Sequence, residues 1–295
     1  MAIQYGDTAD SLTDKQQGGD ETLSGPAGEE NSLYGDAGMA ITDHARGGND
    51  SLVGGTDSDN LLRGDAQELS GKAEGGNDSL TGGDLTPDAV AFPPTTDLAN
   101  VLWGDATTLS GFAKGGNDVL IGGDNFGVLE LRNALTGDGR MFDHATGGDD
   151  TLIGGNSYGA HVLNLYAGDG DEMSDQANGG NDVLIAGTAL FDGGVTNSMV
   201  GDGTFASGHP KGGADAFVFH DNGSMTVGTD NLIFDFSQSQ HDKIQFIGVA
   251  GVAVFADLTF DTTTEPGTTI IHAGADAVKL VGFTDTLTEH DFLFG

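Results

Sequence analysis

Aspartate recurs along the 295-residue chain at places fixed by two alternating phrases. The first, Gly-Gly-Asn-Asp-x-Leu, occupies residues 47–52, 75–80, 115–120, 147–152 (with Asp149 for Asn) and 179–184, with weaker copies at 18–23 and 212–217. It sets Asp50, Asp78, Asp118, Asp150, Asp182 and Asp215 at one position of the phrase. Each follows a glycine pair, the first five Gly47-Gly48, Gly75-Gly76, Gly115-Gly116, Gly147-Gly148 and Gly179-Gly180. The second phrase, Asn-x-Leu-x-Gly-Asp, ends at Asp36, Asp65, Asp105 and Asp138. Looser forms with Tyr166 and Met199 in place of Leu end at Asp169 and Asp202. Self-similarity at a fixed interval marks a stacked repeat protein. Stacking brings equivalent carboxylates into file.

Such a file is electrostatically costly. Two unit charges one strand spacing apart, ~4.8 Å, repel by about 1 kcal/mol in water and ~3–4 kcal/mol at an effective dielectric near 20. Summed over the Asp50 row, the load rivals a domain's net stability of ~5–15 kcal/mol. The metal-free chain is expected to be unstable or unfolded, and the cation-filled form stable. The donors are all oxygens, from Asp side chains and Gly-rich turn carbonyls. Flexible, carbonyl-rich oxygen sites favour Ca²⁺ over Mg²⁺. Zinc would call for His or Cys, but Cys is absent and the eight His are scattered. His44 and His144 occupy equivalent positions without a pairing His and read as solvated loop residues. The Asp36 row stays open between metal ligation and turn-capping hydrogen bonds.

The elements that position these carboxylates follow from the spacing. From the apolar residue of the second phrase to that of the next first phrase the distance is 17 to 19 residues in every unit, as from Leu33 to Leu52. The return varies, from 10 residues (Leu52 to Leu62) to 22 (Leu80 to Leu102), so insertions such as 85–98 gather on one edge. No apolar period near 3.6 is present and Gly-Gly pairs would break helices, so short parallel strands are expected. One internal column is Leu23, Leu52, Leu80, Leu120, Leu152 and Leu184. The facing column is Leu33, Leu62, Leu102, Leu135, Tyr166 and Met199. Ile41, Leu69, Leu109, Phe142, Met173 and Phe205 recur on the constant edge, either as an extra short strand or as anchors pinning a loop. The usual two-strand coil of such repeats favours the loop. After about Phe217 glycine thins and longer alternating strands appear, suiting a cap for the open end of the stack.

Ten basic against 46 acidic residues give a net charge of −36, which excludes nucleic acid as partner. The N-terminal residues lack a cleavable secretory signal, and no apolar run is long enough for a membrane span. No His-Glu-x-x-His or Gly-x-Ser-x-Gly motif is present.

Residues 115–123, Gly-Gly-Asn-Asp-Val-Leu-Ile-Gly-Gly, resemble the repeat of RTX (hemolysin-type calcium-binding) proteins. The resemblance covers about residues 5–215. It implies a right-handed parallel β-roll of about seven units with several Ca²⁺ ions between turns of adjacent coils. The ligands it implies are Asp50, Asp78, Asp118, Asp150 and Asp182 with turn carbonyls, in the third case those of about Ala113 to Gly116. The chain departs from the family where eight or nine residues stand in place of the tight turn. Asn31, Asn60 and Asn100 hold the Asp position on the other edge, and Glu21 replaces Asp in the first copy. The segments 213–219, 233–236 and 241–244 resemble the C-terminal region of serralysin-type proteins, and 287–295 resembles a type I secretion signal. The expected organisation is a roll over 1–215 and a β cap with the signal over 216–295. The resemblance implies export by the type I machinery of a Gram-negative bacterium to the extracellular space. The favoured function is a non-catalytic, secreted calcium-binding protein that folds on meeting calcium. The alternatives are a Ca²⁺-dependent polysaccharide or cell-surface module, using Tyr158, Tyr166, Trp103 or Phe92 on the insertion-rich edge, and a polysaccharide-modifying enzyme.

Overall fold

The computed structural model describes residues 1–89, 97–190, 194–220, 226–227 and 230–295. The repeat phrases become strands of three long, unclosed sheets that run side by side along the stack. The first has eleven strands. It begins at Ala2–Tyr5 and adds Asn31–Tyr34, Asn60–Arg63, Asp97–Trp103, Glu130–Thr136, Val162–Ala167, Val195–Val200, Asp230–Ile233 and Asp276–Val281 in parallel. The second has nine parallel strands, from Thr22–Ser24 to Phe292–Phe294, each carrying the apolar residue of a Gly-Gly-Asn-Asp-x-Leu phrase or its later counterpart. Among the described residues there is no α-helix, as the glycine pairs require.

The third sheet corrects the loop expectation. Ala40–Ile41, Ala66–Leu69, Ala106–Leu109, Arg140–Met141, Gly170–Asp175 and Gly203–Gly208 pair in parallel as six strands. Each coil therefore has three strands rather than two. Leu109 pairs Met141 and Met141 pairs Met173, so Met141, not Phe142, belongs to the buried column. Phe205 pairs Glu172 and is 71% exposed, so it also falls outside that column. The strands are only two to six residues long. Their register is set by neighbouring coils, not by their own pattern.

Two apolar files flank the aspartate-bearing turns, and a shorter third one of Leu98, Leu131, Val162 and Val195 runs along the insertion edge. The expected columns form one: Leu52 pairs Leu80, Leu80 pairs Leu120, Leu62 pairs Leu102, and all are fully buried. Burying each such side chain contributes about 1.5–3 kcal/mol. The other flanking file is Leu12, Ile41, Leu69, Leu109, Met141 and Met173 with eight alanines that let the backbone close in, among them Ala45, Ala73 and Ala113. Parallel stacking continues past residue 216. Ala216–His220 pairs Val183–Ile185, then Lys243–Ile247, then Phe292–Phe294. Phe217, Ile244 and Phe292 extend the leucine file in register, so one apolar cluster runs from Leu33 to Phe292. At its far end the first sheet turns antiparallel through Thr268–Ala273 and Thr259–Asp261. At the near end Gln4 takes the leucine position opposite Leu33, and its amide donates to the Ser24 carbonyl at 2.7 Å.

Candidate metal centre

In each coil the chain leaves the leucine file through the Gly-Asp step and returns through the Gly-Gly-Asn-Asp step. Both aspartate rows therefore lie at the passage between the two apolar files, and both are buried. Asp36, Asp65, Asp105, Asp138 and Asp169 are 0% exposed; Asp50, Asp78, Asp118, Asp150, Asp182 and Asp215 are 1–3% exposed. Only Asp202, near the end of its row, is half-buried.

Each row uses part of its acceptor capacity on the backbone. The Oδ1 of Asp78 accepts the N–H of Asp50 at 2.7 Å, and the same step repeats from Asp118 to Asp78, Asp150 to Asp118, Asp182 to Asp150 and Asp215 to Asp182. In the other row, Asp36, Asp65, Asp105, Asp138 and Asp169 accept the N–H of Gly48, Gly76, Gly116, Gly148 and Gly180 of their own coil. Turn capping is thus real for the Asp36 row, but it occupies only part of each carboxylate. The second oxygens of Asp50, Asp78, Asp118, Asp150, Asp182, Asp105, Asp138 and Asp169 are buried with no hydrogen-bond partner, as is Oε2 of Glu21. Carboxylates are acceptor-only when ionised. A buried unpaired charge of this kind is strongly destabilising unless a proton or cation completes it.

The two rows face one another closely enough to interact. Burial raises the Asp118 carboxyl well above the carboxylate range, and Asp105, Asp150 and Asp78 raise it further. Asp138 is raised by burial and then by Asp150, Asp105 and Asp169. Burial pushes Asp36 up to about 7, Asp50 to about 8 and Asp215 to about 9. Asp105 rises only to about 6; burial is opposed by the Asp138 and Asp65 carboxyls, which can donate to it when they carry the proton, and by the Gly116 N–H.

The glycines are required by closeness. A Cβ on Gly104 would lie 1.8 Å from the Gly137 carbonyl oxygen and 2.2 Å from Asp118 Oδ2. One on Gly75 would lie 1.8 Å from Asp105 Oδ1 and 2.6 Å from Asp65 Oδ2, placing this glycine between carboxylates of successive coils. Gly47 and Gly115 sit likewise between Asp36 and Asp65 and between Asp105 and Asp138. Of the turn carbonyls expected around Asp118, those of Ala113 and Lys114 are taken by the N–H groups of Thr146 and Gly75. Among the described residues no hydrogen bond ends on the carbonyls of Gly48, Gly76, Gly116, Gly148 or Gly180. The acceptors left over at these turns are therefore carboxylate and glycine carbonyl oxygens, a set that fits a hard divalent cation of Ca²⁺ type.

The rows end differently. Toward the N-terminus, ligand atoms of Asp7, Glu21 and Asp36 lie within 4.8 Å of one another. Toward the C-terminus the protein supplies donors. Asp202 Oδ2 accepts the Gln240 amide at 2.8 Å, Asp235 accepts the N–H groups of Gly201 and Asp202, and Asp242 those of Asp215 and Ser237. Asp235 and Asp242 are members of the rows that the phrases did not reveal. Their glycines are gone, yet Asp242-x-Ile244 keeps the spacing of Asp215-x-Phe217.

The asparagines that open each second phrase form a separate buried ladder. Nδ2 of Asn31, Asn60, Asn100, Asn133, Asn164 and Asn197 donates to Oδ1 of the next coil's asparagine at 2.8–3.0 Å, ending on Asn231. Most also bond both backbone groups of one glycine, as Asn133 does with Gly123. These amides need no metal. His44 and His144 are exposed, and His144 stacks on Phe112 at 4.9 Å. Compared with known families, curated proteins and solved structures, the chain matches none.

Proposed function

We propose that this chain is a non-catalytic, calcium-binding protein of RTX type, exported to the extracellular space and folded by the Ca²⁺ that fills the passage between its two aspartate rows. The reading rests above all on the eight buried aspartate oxygens without a partner, set in two facing rows beside free glycine carbonyls. Asp78, Asp118, Asp150 and Asp182 of one row with Asp65, Asp105, Asp138 and Asp169 of the other would hold the ions. The Gly47-Gly48, Gly75-Gly76, Gly115-Gly116, Gly147-Gly148 and Gly179-Gly180 pairs would supply the carbonyls. Bound Ca²⁺ supplies only charge neutralisation and cross-linking of coils; no reaction follows from it. Calcium at 1,000 times its dissociation constant adds about 4 kcal/mol per site if the unfolded chain does not bind it. Many such sites make folding steeply calcium-dependent. In a calcium-poor cytoplasm the chain would remain an unfolded polyanion that a type I secretion channel can thread, and it would fold outside.

Circular dichroism during calcium titration at neutral pH tests the proposal. We expect little β-structure in excess chelator, a cooperative rise with calcium and a much weaker response to magnesium. A chain fully β-structured in chelator at pH 7.5 would contradict it.

A further inference from the structure

We propose that the angle between the outer faces of the first and third sheets binds a neutral polysaccharide chain laid along the stack. This site is separate from the carboxylate rows and needs only the folded roll. The first sheet already buries its inward positions in the leucine file, so its outward positions should be polar. Over five successive strands they are instead largely apolar. Val101, Trp103, Leu165 and Phe234 line a groove of about 610 Å³, and Arg132, Asp171 and Thr204 give it polar edges, the last two from the third sheet. That volume lies within the usual range for ligand sites of about 300–1,000 Å³.

The groove has a linear character. Tyr5, Tyr34, Arg63 and Trp103 share one register position in successive coils. Tyr5 and Tyr34 have ring centroids 5.2 Å apart, and the Arg63 guanidinium lies 5.0 Å from the Tyr34 ring centre. The two sheets are tied across the angle by Arg63 Nε donating to Thr107 Oγ1 at 2.7 Å. A stacked row of Tyr5, Tyr34 and Arg63, with Tyr34 buried beneath its neighbours, thus leads at ~4.8 Å per coil to Trp103 from the N-terminal side. This shape suits an extended polymer better than a compact ligand.

Chemistry selects the polymer. An aromatic face takes the C–H face of a sugar ring, while amphipathic and charged side chains at its edge take the hydroxyls. Among the described residues, the side chains of Arg132 and Asp171 and the Trp103 indole N–H engage in no hydrogen bond or ion pair, leaving donors and acceptors available. The formal charge of −36, only partly offset by bound Ca²⁺, repels polyanions at long range. Arg132 and Asp171 offset each other locally, so a neutral glycan incurs no such penalty. Of the aromatics proposed from sequence for such a role, Trp103 and Tyr166 border this groove, and only Trp103 offers an accessible ring face. Tyr166 is 3% exposed and its hydroxyl donates to the Ile185 carbonyl; Tyr158 stacks on Phe126 on the insertion edge; Phe92 lies outside the described residues.

Trp103 is the only tryptophan, so its fluorescence reports on the groove alone. The intact chain, in calcium and with folding verified by circular dichroism, is titrated with soluble neutral polymers (β-1,3-glucan, β-1,4-glucan, galactomannan, dextran, chito-oligosaccharide) and with alginate and pectate. We expect at least one neutral polymer to shift or quench the emission and neither polyanion to do so. By calorimetry, Trp103→Ala should weaken binding about tenfold or more and Trp103→Phe should restore most of it. Phe112→Ala, on an exposed turn elsewhere, should leave it unchanged. The proposal is overturned if folded protein binds no neutral polymer, if only polyanions bind, or if Trp103→Ala binds as wild type. It is equally overturned if sedimentation shows a dimer that shields Trp103, which would make this face a contact between copies. Because folding is measured independently, failure of the calcium reading and failure of this one are distinguishable.

Discussion

Two buried polar files run through the same stack, and they solve the same problem in opposite ways. The asparagine ladder and the aspartate rows both sit where glycines bring successive coils together, and both are almost wholly shielded from water. An amide is donor and acceptor at once, so a column of asparagines can satisfy itself. Asn133 donates to Asn164 and accepts from Asn100 and from the Gly123 N–H. A carboxylate only accepts. Its column uses one oxygen on the backbone and leaves the other without a partner. The difference is a single atom, NH₂ for O⁻. It separates a file that holds itself together from one that depends on a guest.

The largest effect should come from giving the ladder the chemistry of the rows. Asn133→Asp removes the donor to Asn164 and to the Gly123 carbonyl and sets a charge beside acceptors. Breaking a buried polar network into an uncompensated charge costs about 3–5 kcal/mol. We expect that loss in denaturant unfolding at saturating calcium, since no row of carbonyls and carboxylates exists there to capture an ion. Recovery of full stability by added calcium would show that the two files are not distinct in kind.

Protons should replace cations in the aspartate rows but do nothing for the ladder. Folding raises these carboxyls above their unfolded value near 4, mainly through burial; Asp105 rises to about 6, Asp36 to about 7, Asp50 to about 8 and Asp215 to about 9. A folded state that holds protons more tightly than the unfolded one gains stability as pH falls. That contribution is fully present below about pH 4 and is lost as pH rises through about 6 to 9. In excess chelator, β-structure should therefore be absent at pH 8 and appear on acidification toward pH 5, the reverse of ordinary acid denaturation. A chelated chain whose β-structure declines on the same acidification would remove the rows from the account of folding.

The comparison also explains what could be read in advance. The leucine columns were legible because each copy of a phrase repeats its apolar residue at a strand position, and stacking leaves only one register that buries all of them. Both aspartate rows were legible for the same reason. Their facing arrangement was not. Asp36 and Asp50 are brought together only because the chain makes an excursion through the third sheet between them. Those strands are short and carry too few alternating residues to announce themselves. Adjacent apolar residues such as Met141 and Phe142 left the column ambiguous until the neighbouring coils fixed the register. The ladder's signal, Asn at the head of every second phrase, was visible but read only as an Asp position without a charge. Its meaning depends on a partner one coil away, which local spacing does not supply.

Replacing one member of the aspartate row with the ladder's residue sharpens the distinction at moderate cost. Asp118→Asn keeps the shape and the acceptor for the Asp78 N–H while removing one charge. In chelator it should raise residual β-structure, because the repulsion from Asp105, Asp150 and Asp78 is relieved. In calcium it should lower the apparent affinity or the steepness of the folding transition. Opposite signs under the two conditions are the signature of a ligand; a loss under both would make Asp118 a structural residue only.

The smallest effect is expected from a third polar file, which water can reach. Asn49, Asn77, Asn117, Asp149 and Asn181 stand on the outside of the same turns, each accepting the N–H of the next coil's counterpart. Asn117→Ala deletes the acceptor for the Asp149 N–H at 3.0 Å. Water can take its place at an exposed position, so the loss should be at most about 1 kcal/mol, with no change in calcium midpoint relative to that stability. The file is mixed, with Asp149 among the asparagines, and burial stays slight throughout. Exposure therefore decides whether Asp and Asn are interchangeable in a column. A loss at Asn117 as large as that at Asn133 would mean that geometry, not access to water, sets the difference between the files.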